Sequence, residues 1–160
     1  MITIEPIGYV RSPRGDLRDD DWGSVSSSIE LDAAFSPECL DGIEEFSHAE
    51  IVFLFDRVAP ARVERGTRHP RGNPAWPRVG IFAQRAKDRP NRIGTTIVEI
   101  VGRDGRSLHV RGLDAIDGTP VLDVKPIMAE FLPRSGVRQP QWSHELMHEY
   151  WTVTPRRRDG

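Results

Sequence analysis

The chain has 160 residues and a formal net charge of −2, with 29% of its residues charged, which leaves room for one hydrophobic core and not for two ordinary domains. It has no run of about twenty apolar residues to cross a bilayer, and its opening, Met1-Ile-Thr-Ile-Glu-Pro6, lacks the basic and apolar regions of a secretory signal. Cys39 is the single cysteine, so an intramolecular disulfide and a multi-cysteine zinc site are excluded and a reducing cytoplasm is the expected compartment.

Taken in chain order, the pattern is mostly β. Alternation predicts a strand over residues 2–10, ended by Arg11-Ser12-Pro13. A polar, acidic loop follows, then a strand over 25–31 with Ile29 and Leu31 on one face. Ser36-Pro37-Glu38 has the N-cap, the N1 proline and the early acid of a short helix, with Gly42 as its stop. The continuous apolar run 50–55 predicts a buried strand. Residues 58–77, rich in Arg, Gly and Pro and without periodicity, read as a long exposed loop. Strands are expected at 79–83, 97–101, 108–110 and 121–124. Asp104-Gly105 stands at the turn between the second and third of these, as in a hairpin whose central residues take positive φ. Residues 143–151 fit a terminal amphipathic helix capped by Ser143. Many short strands with few helices predict a mainly β fold, a small β-barrel with few short helices and a C-terminal helix, in one domain over 1–152 with a basic tail at 153–160. No Gly-rich strand-to-helix turn of a Rossmann domain is present.

The charge is uneven. From Arg57 to Arg92 ten basic residues face only Glu64 and Asp88, a local excess of +8. Such a stretch fits a nucleic-acid phosphate face, and equally a solvated arginine-rich loop.

Two segments stand out for chemistry. In Gly80-Ile-Phe-Ala-Gln-Arg85, running on to Arg89-Pro-Asn-Arg-Ile-Gly94, a strand delivers Arg85 to its end, Pro90-Asn91 suit a tight turn, and Gly94 permits a close approach. The second, residues 113–126, sets Asp114, Asp117, Asp123 and Lys125 about a Gly118-Thr119-Pro120 turn. Asp123 and Lys125 also fit a plain ion pair on one strand face, and spacing alone does not choose. Asn73-Pro-Ala-Trp76 imitates the Asn-Pro-Pro-aromatic motif of adenine N6-methyltransferases, but in a Gly/Pro-rich loop rather than after a Rossmann strand. His144 and His148 have a helical metal-ligand spacing without a third ligand, so no metal is expected.

These segments carry a resemblance. Gly80–Gly94 resembles the G-V-F-A-T-R…R-P-N-x-I-G signature of the TsaA-like, or TrmO, family, the tRNA N6-threonylcarbamoyladenosine N6-methyltransferases. Residues 114–126 resemble its D-x-x-D-G-T-P-V-L-D-I-K-P signature, 42–48 its G-L-x-x-F-S-H segment and 7–13 its I-G-x-I-x-S-P start. All four occur in family order. The resemblance implies a β-barrel methyltransferase, typically a homodimer, that uses S-adenosylmethionine. Its implied cofactor residues are Asp56, Arg57, Phe82, Arg85, Thr95, Asp117, Gly118, Thr119 and Pro120, with Arg85 suited to a carboxylate fork. Arg89, Asn91, Arg92 and Lys125 are the expected substrate-binding residues, and Asp56, Asp114 and Asp117 the candidate catalytic ones, for an acceptor nitrogen that needs a base or strong acceptor.

The chain also departs from the family. Asp56-Arg57 replaces a common His-Gln pair, and Asp19-Asp20-Asp21-Trp22-Gly23 stands where a Pro-Arg-Gln-Pro run is usual. Trp22 offers a ring to stack on adenine, as do Phe82 or Trp76 for a base of the RNA. The expected activity is methylation of N6 of threonylcarbamoyl-adenosine in tRNA. The alternatives are methyl transfer to another substrate, or a non-catalytic S-adenosylmethionine-binding module.

Overall fold

The structure, a computed structural model, describes residues 1–153; the expected basic tail lies, from residue 154 on, outside the described residues. Six antiparallel strands close into a barrel in the order β1-β2-β7-β6-β3-β8. They are β1 (Gly8–Arg11), β2 (Ser26–Leu31), β3 (His48–Leu54), β6 (Ile93–Asp104), β7 (Ser107–Arg111) and β8 (Pro120–Pro126), with β8 returning to pair with β1 through Gly8 and Val121. A separate ribbon joins β4 (Thr67–Arg68) to β5 (Val79–Gly80), and α1 (Gln141–Met147) is the C-terminal helix.

Alternation decides which residues enter the barrel. Along β3, Ala49, Ile51 and Phe53 are buried while Glu50, Val52 and Leu54 are half-exposed, so the run expected to be buried throughout is buried on one face. Val10, Ile29, Leu40, Val98, Leu108, Val110, Leu113, Ala115 and Val121 complete the core. Each larger side chain among them contributes about 2 kcal/mol by leaving water. Register shifts between Ile100 and Gly102 of β6, and opposite Val52/Phe53 of β3, insert the extra residues that let short strands curl into a closed wall.

Several expected elements move. The first strand begins at Gly8 and not at residue 2, because Pro6 has no amide to give a ladder; Ile7 opens the pairing by donating to the Val121 carbonyl at 2.8 Å. The short helix after Ser36 forms as a 3₁₀ turn (Pro37–Leu40) with the Ser36 hydroxyl accepting from the Glu38 amide at 3.3 Å, and Gly42 follows at φ 84°. Residues 79–83 split into β5 and a 3₁₀ turn (Ile81–Ala83). The β6–β7 hairpin turns at Gly105-Arg106, one residue later than expected, and Gly105 alone takes positive φ, at 56°. The 58–77 stretch is a folded excursion and not an open loop: it contains β4 and two 3₁₀ turns and buries Val58 and Pro70. The terminal helix starts at Gln141 behind Pro140, since Ser143 spends its hydroxyl on the Pro140 carbonyl inside the first turn and caps nothing, and it stops at Met147, where the His148 amide closes a tighter turn onto the Glu145 carbonyl.

Candidate active site

The two signature segments meet on β6. Thr95 and Thr96 are neighbours on a strand and therefore face opposite ways. On the outer side, Arg85 donates Nη2 to the Thr95 carbonyl at 2.7 Å and lies 3.4 Å from its hydroxyl. Arg85 is exposed, and its Nε and Nη1 have no partner among the described residues. On the inner side, buried Thr96 donates its hydroxyl to one carboxylate oxygen of Asp114, and Tyr150 donates its phenol to the other. Burial above all, then the negative charge of Asp114 and the hydrogen bond to it, raise the Tyr150 phenol well above its ordinary range. The bond thus has a firmly held donor.

The Asp117-Gly118-Thr119-Pro120 turn is built into the barrel wall. Its amides are all spent: Asp117 donates to the Arg14 carbonyl at 2.9 Å, Gly118 to Val10 at 2.8 Å and Thr119 to Ile116 at 3.2 Å. Asp117 Oδ1 accepts the Ser12 amide at 3.0 Å, and Gly118 takes the left-handed conformation, φ 82°, that the turn needs. What this turn has left to offer a ligand is acceptors, including Asp117 Oδ2, which suit the hydroxyls and the amino group of a nucleoside.

The expected substrate residues fall into different settings. Pro90-Asn91 form the tight turn anticipated for them, with Asn91 at φ 63° and the Arg92 amide returning to the Arg89 carbonyl at 3.0 Å. Arg89 donates to the Gln84 carbonyl at 2.6 Å and Arg92 to the Val58 carbonyl at 2.8 Å. Lys125 pairs with Asp123 at 3.1 Å. Asp56 and Arg57 are exposed just beyond β3, and Phe82 is 78% exposed. Two clefts, one lined by Ile7, Leu31, Phe35, Leu40 and Phe46 and one by Asp20, Arg71, Trp76 and Glu145, are lined by none of these residues; the motif chemistry lies on an open face.

Trp22 is not available for stacking. It is 4% exposed, the Arg14 guanidinium lies 3.6 Å from its ring centroid, and its indole N–H donates to the Asp19 carbonyl at 3.1 Å. In the Asn73-Pro-Ala-Trp76 stretch, Asn73 Oδ1 accepts its own turn's Ala75 amide at 2.9 Å and Trp76 donates to Glu145 at 2.8 Å, so that motif serves the loop's structure. Among the described residues no three His, Cys, Asp or Glu side chains gather as a metal site.

Thr96 and Tyr150 escaped the sequence reading. Thr96 had no signal in the sequence, where alternation puts apolar Ile97 inward, yet Ile97 is 48% exposed and Thr96 is buried. Tyr150 had none, because its partner is 36 residues away. Also unforeseen was the pair of half-buried Arg68 with buried Asp88 at 2.8 Å, beside Gln84, whose side-chain amide bridges the Arg68 and Val79 carbonyls at 3.2 and 3.0 Å.

Comparison with known proteins is consistent with this arrangement. The family profile of the tRNA-methyltransferase O N-terminal domain matches residues 18–131. A Pyrococcus abyssi protein named a probable S-adenosyl-L-methionine-binding protein is 38% identical over 160 aligned positions, covering 93% of this chain and 80% of that one. The human tRNA (adenine(37)-N6)-methyltransferase is 33% identical across 94% of this chain, which spans 36% of the human protein's length. The crystal structure of TrmO from P. aeruginosa superposes with a TM-score of 0.72 at 29% identity, over 89% of this chain and 62% of that one. Profile, relatives and barrel agree that the chain belongs to the tRNA-methyltransferase O N-terminal domain family.

Proposed function

We propose that this chain binds S-adenosylmethionine and methylates N6 of threonylcarbamoyl-adenosine in tRNA. The observation that carries the reading is the meeting of both signatures on two consecutive residues of β6, Arg85 on Thr95 and Asp114 on Thr96. When bound, S-adenosylmethionine supplies a methyl group already activated by its sulfonium. Arg85, with two donor nitrogens free, is the fork for its carboxylate, and the acceptors of the 117–120 turn suit its ribose and adenine. The protein's part is then to hold donor and acceptor in line. Of the three candidate carboxylates, Asp114 has both oxygens engaged and Asp117 one, while Asp56 is exposed and without a partner among the described residues. Asp56 is therefore assigned the N6 proton, in the place where relatives carry a His-Gln pair.

The working unit on this reading is the domain 1–152, acting in the cytoplasm as a homodimer. The dimer is supported by the segment after β8, where Met128, Phe131, Leu132 and Val137 stand 44%, 87%, 41% and 73% exposed. Among the described residues no helix is long and apolar enough to cross a membrane.

The deciding experiment is a methylation assay with labelled S-adenosylmethionine and tRNA with or without the threonylcarbamoyl group. Label is expected only in the modified tRNA. Equal labelling of both would change the acceptor, and cofactor binding without transfer to either would leave a binding module.

A further inference from the structure

The ten basic side chains between Arg57 and Arg92 are not equivalent. Six are engaged within the protein: Arg68 on Asp88, Arg71 on Asp20, and Arg78, Arg85, Arg89 and Arg92 on backbone carbonyls. Arg57, Arg62, Arg65 and Lys87 make no side-chain hydrogen bond or ion pair among the described residues, where the only other such cations are Arg134 and Arg138. Neither acid within the stretch forms an ion pair with these four. Glu64 Oε1 accepts the Arg65 and Gly66 amides at 2.9 and 2.6 Å, and Asp88 is buried on Arg68. Asp56 is the one exposed acid beside them.

The backbone gathers three of them, Arg57, Arg65 and Lys87. The Glu64 amide donates to the Asp88 carbonyl at 2.9 Å, so Arg65 and Lys87 flank one junction. The Phe55 amide donates to the Arg92 carbonyl at 2.8 Å, and Arg92 reaches Val58, which brings Arg57 to the same pair of loops. The Ile81 amide donates to the Gly66 carbonyl at 2.9 Å and so sets Phe82, 78% exposed, next to Gly66 and Arg65. Unpaired cations on long side chains, with Arg65 next to an exposed ring, match RNA: phosphates for the charges and an unpaired base for the ring.

We infer that Arg57, Arg62, Arg65 and Lys87 hold the phosphate backbone of the tRNA acceptor and that Phe82 stacks on an unpaired base beside the target adenosine. This rests on the tRNA reading above. It shifts substrate contact from Arg89 and Arg92, half-buried and held on carbonyls, and Lys125, paired with Asp123, to four residues that spacing did not distinguish, and of the two roles expected for Phe82 it keeps the stacking of a base.

The test is fluorescence anisotropy with an anticodon stem-loop at several salt concentrations, with calorimetry of S-adenosylmethionine and thermal melting on each variant as controls. The R62A/R65A/K87A variant, which leaves Arg57 in place beside the cofactor candidates, is expected to melt like the parent and keep its cofactor affinity, while its salt slope falls by about two, the loss of three phosphate contacts. Phe82→Ala is expected to weaken RNA binding about ten-fold with the slope unchanged. An unaltered slope in the triple variant, with the parent still binding RNA, overturns this assignment and leaves the tRNA reading standing. A parent that binds no RNA overturns both. Competition by polyglutamate as effective as by RNA, with Phe82→Ala silent, gives the face to an acidic protein instead and overturns the inference.

Discussion

The Tyr150 hydroxyl donates to the Asp114 carboxylate and ties the end of the described chain to the barrel. Two backbone bonds reinforce the tie, from the Asp21 amide to Glu149 at 3.0 Å and from the Trp22 amide to Tyr150 at 2.9 Å. Tyr150→Phe keeps the ring and removes the donor, so a partly buried carboxylate oxygen loses its partner. A loss of about 2 kcal/mol is expected, read as a fall of about 4–8 °C in Tm.

The same bond sets an alkaline limit. The Tyr150 phenol is raised in the folded state, through burial first and then Asp114, while in the unfolded chain it ionises near about 10. Above that pH the unfolded state binds fewer protons than the folded one, so stability falls as pH rises; below it the contribution is fully present. Denaturant titrations from pH 8 to 11 should show that decline in the parent and a smaller one in Tyr150→Phe. Equal declines would place the effect elsewhere.

Arg85 is exposed and spends one nitrogen on the Thr95 carbonyl, so its removal should cost function and little stability. Arg85→Ala is expected to weaken S-adenosylmethionine about 10- to 100-fold by calorimetry, the worth of a charge-assisted fork, with Tm nearly unchanged. Arg85→Lys should recover only part of it. Undiminished binding by Arg85→Ala would remove this residue from the cofactor site.

Gly94 tests packing at the start of β6. A Cβ there would lie 2.7 Å from Phe53 Cε2 and 2.8 Å from Phe55 Cζ, two rings held edge to face with centroids 5.3 Å apart. Gly94→Ala is expected to cost about 1–3 kcal/mol by overpacking, measured in urea. The close approach that Gly94 permits is to these rings.

The sequence was most informative where chemistry is local. Strand alternation, the Ser36 cap, the Pro90-Asn91 turn and the β6–β7 hairpin are set by neighbours in the chain and could be read from it, to within a residue or two. The barrel as a fold class followed from many short strands, but its closure through Gly8 and Val121 did not, since that pairing spans most of the chain. The site divides the same way. Arg85, Thr95, Asp114 and Asp117 were accessible through motifs. Which arginines are free and which are fixed was not, because each fixed one is held by a carbonyl or carboxylate distant in sequence, as Arg92 is by Val58 and Arg68 by Asp88. Trp22 misled for a related reason: nothing near it announces that Arg14 will cover its ring.

With β8 hydrogen-bonded to β1, every strand of the cylinder has a partner on both sides. The seam is short, Gly8 against Val121 and Tyr9 against Pro120, but it leaves no strand of the barrel with two free edges for another backbone to extend. The homodimer proposed above would then be joined through side chains rather than across the barrel wall, and point substitutions at Phe131 or Val137, both exposed, would tune it without touching the strands.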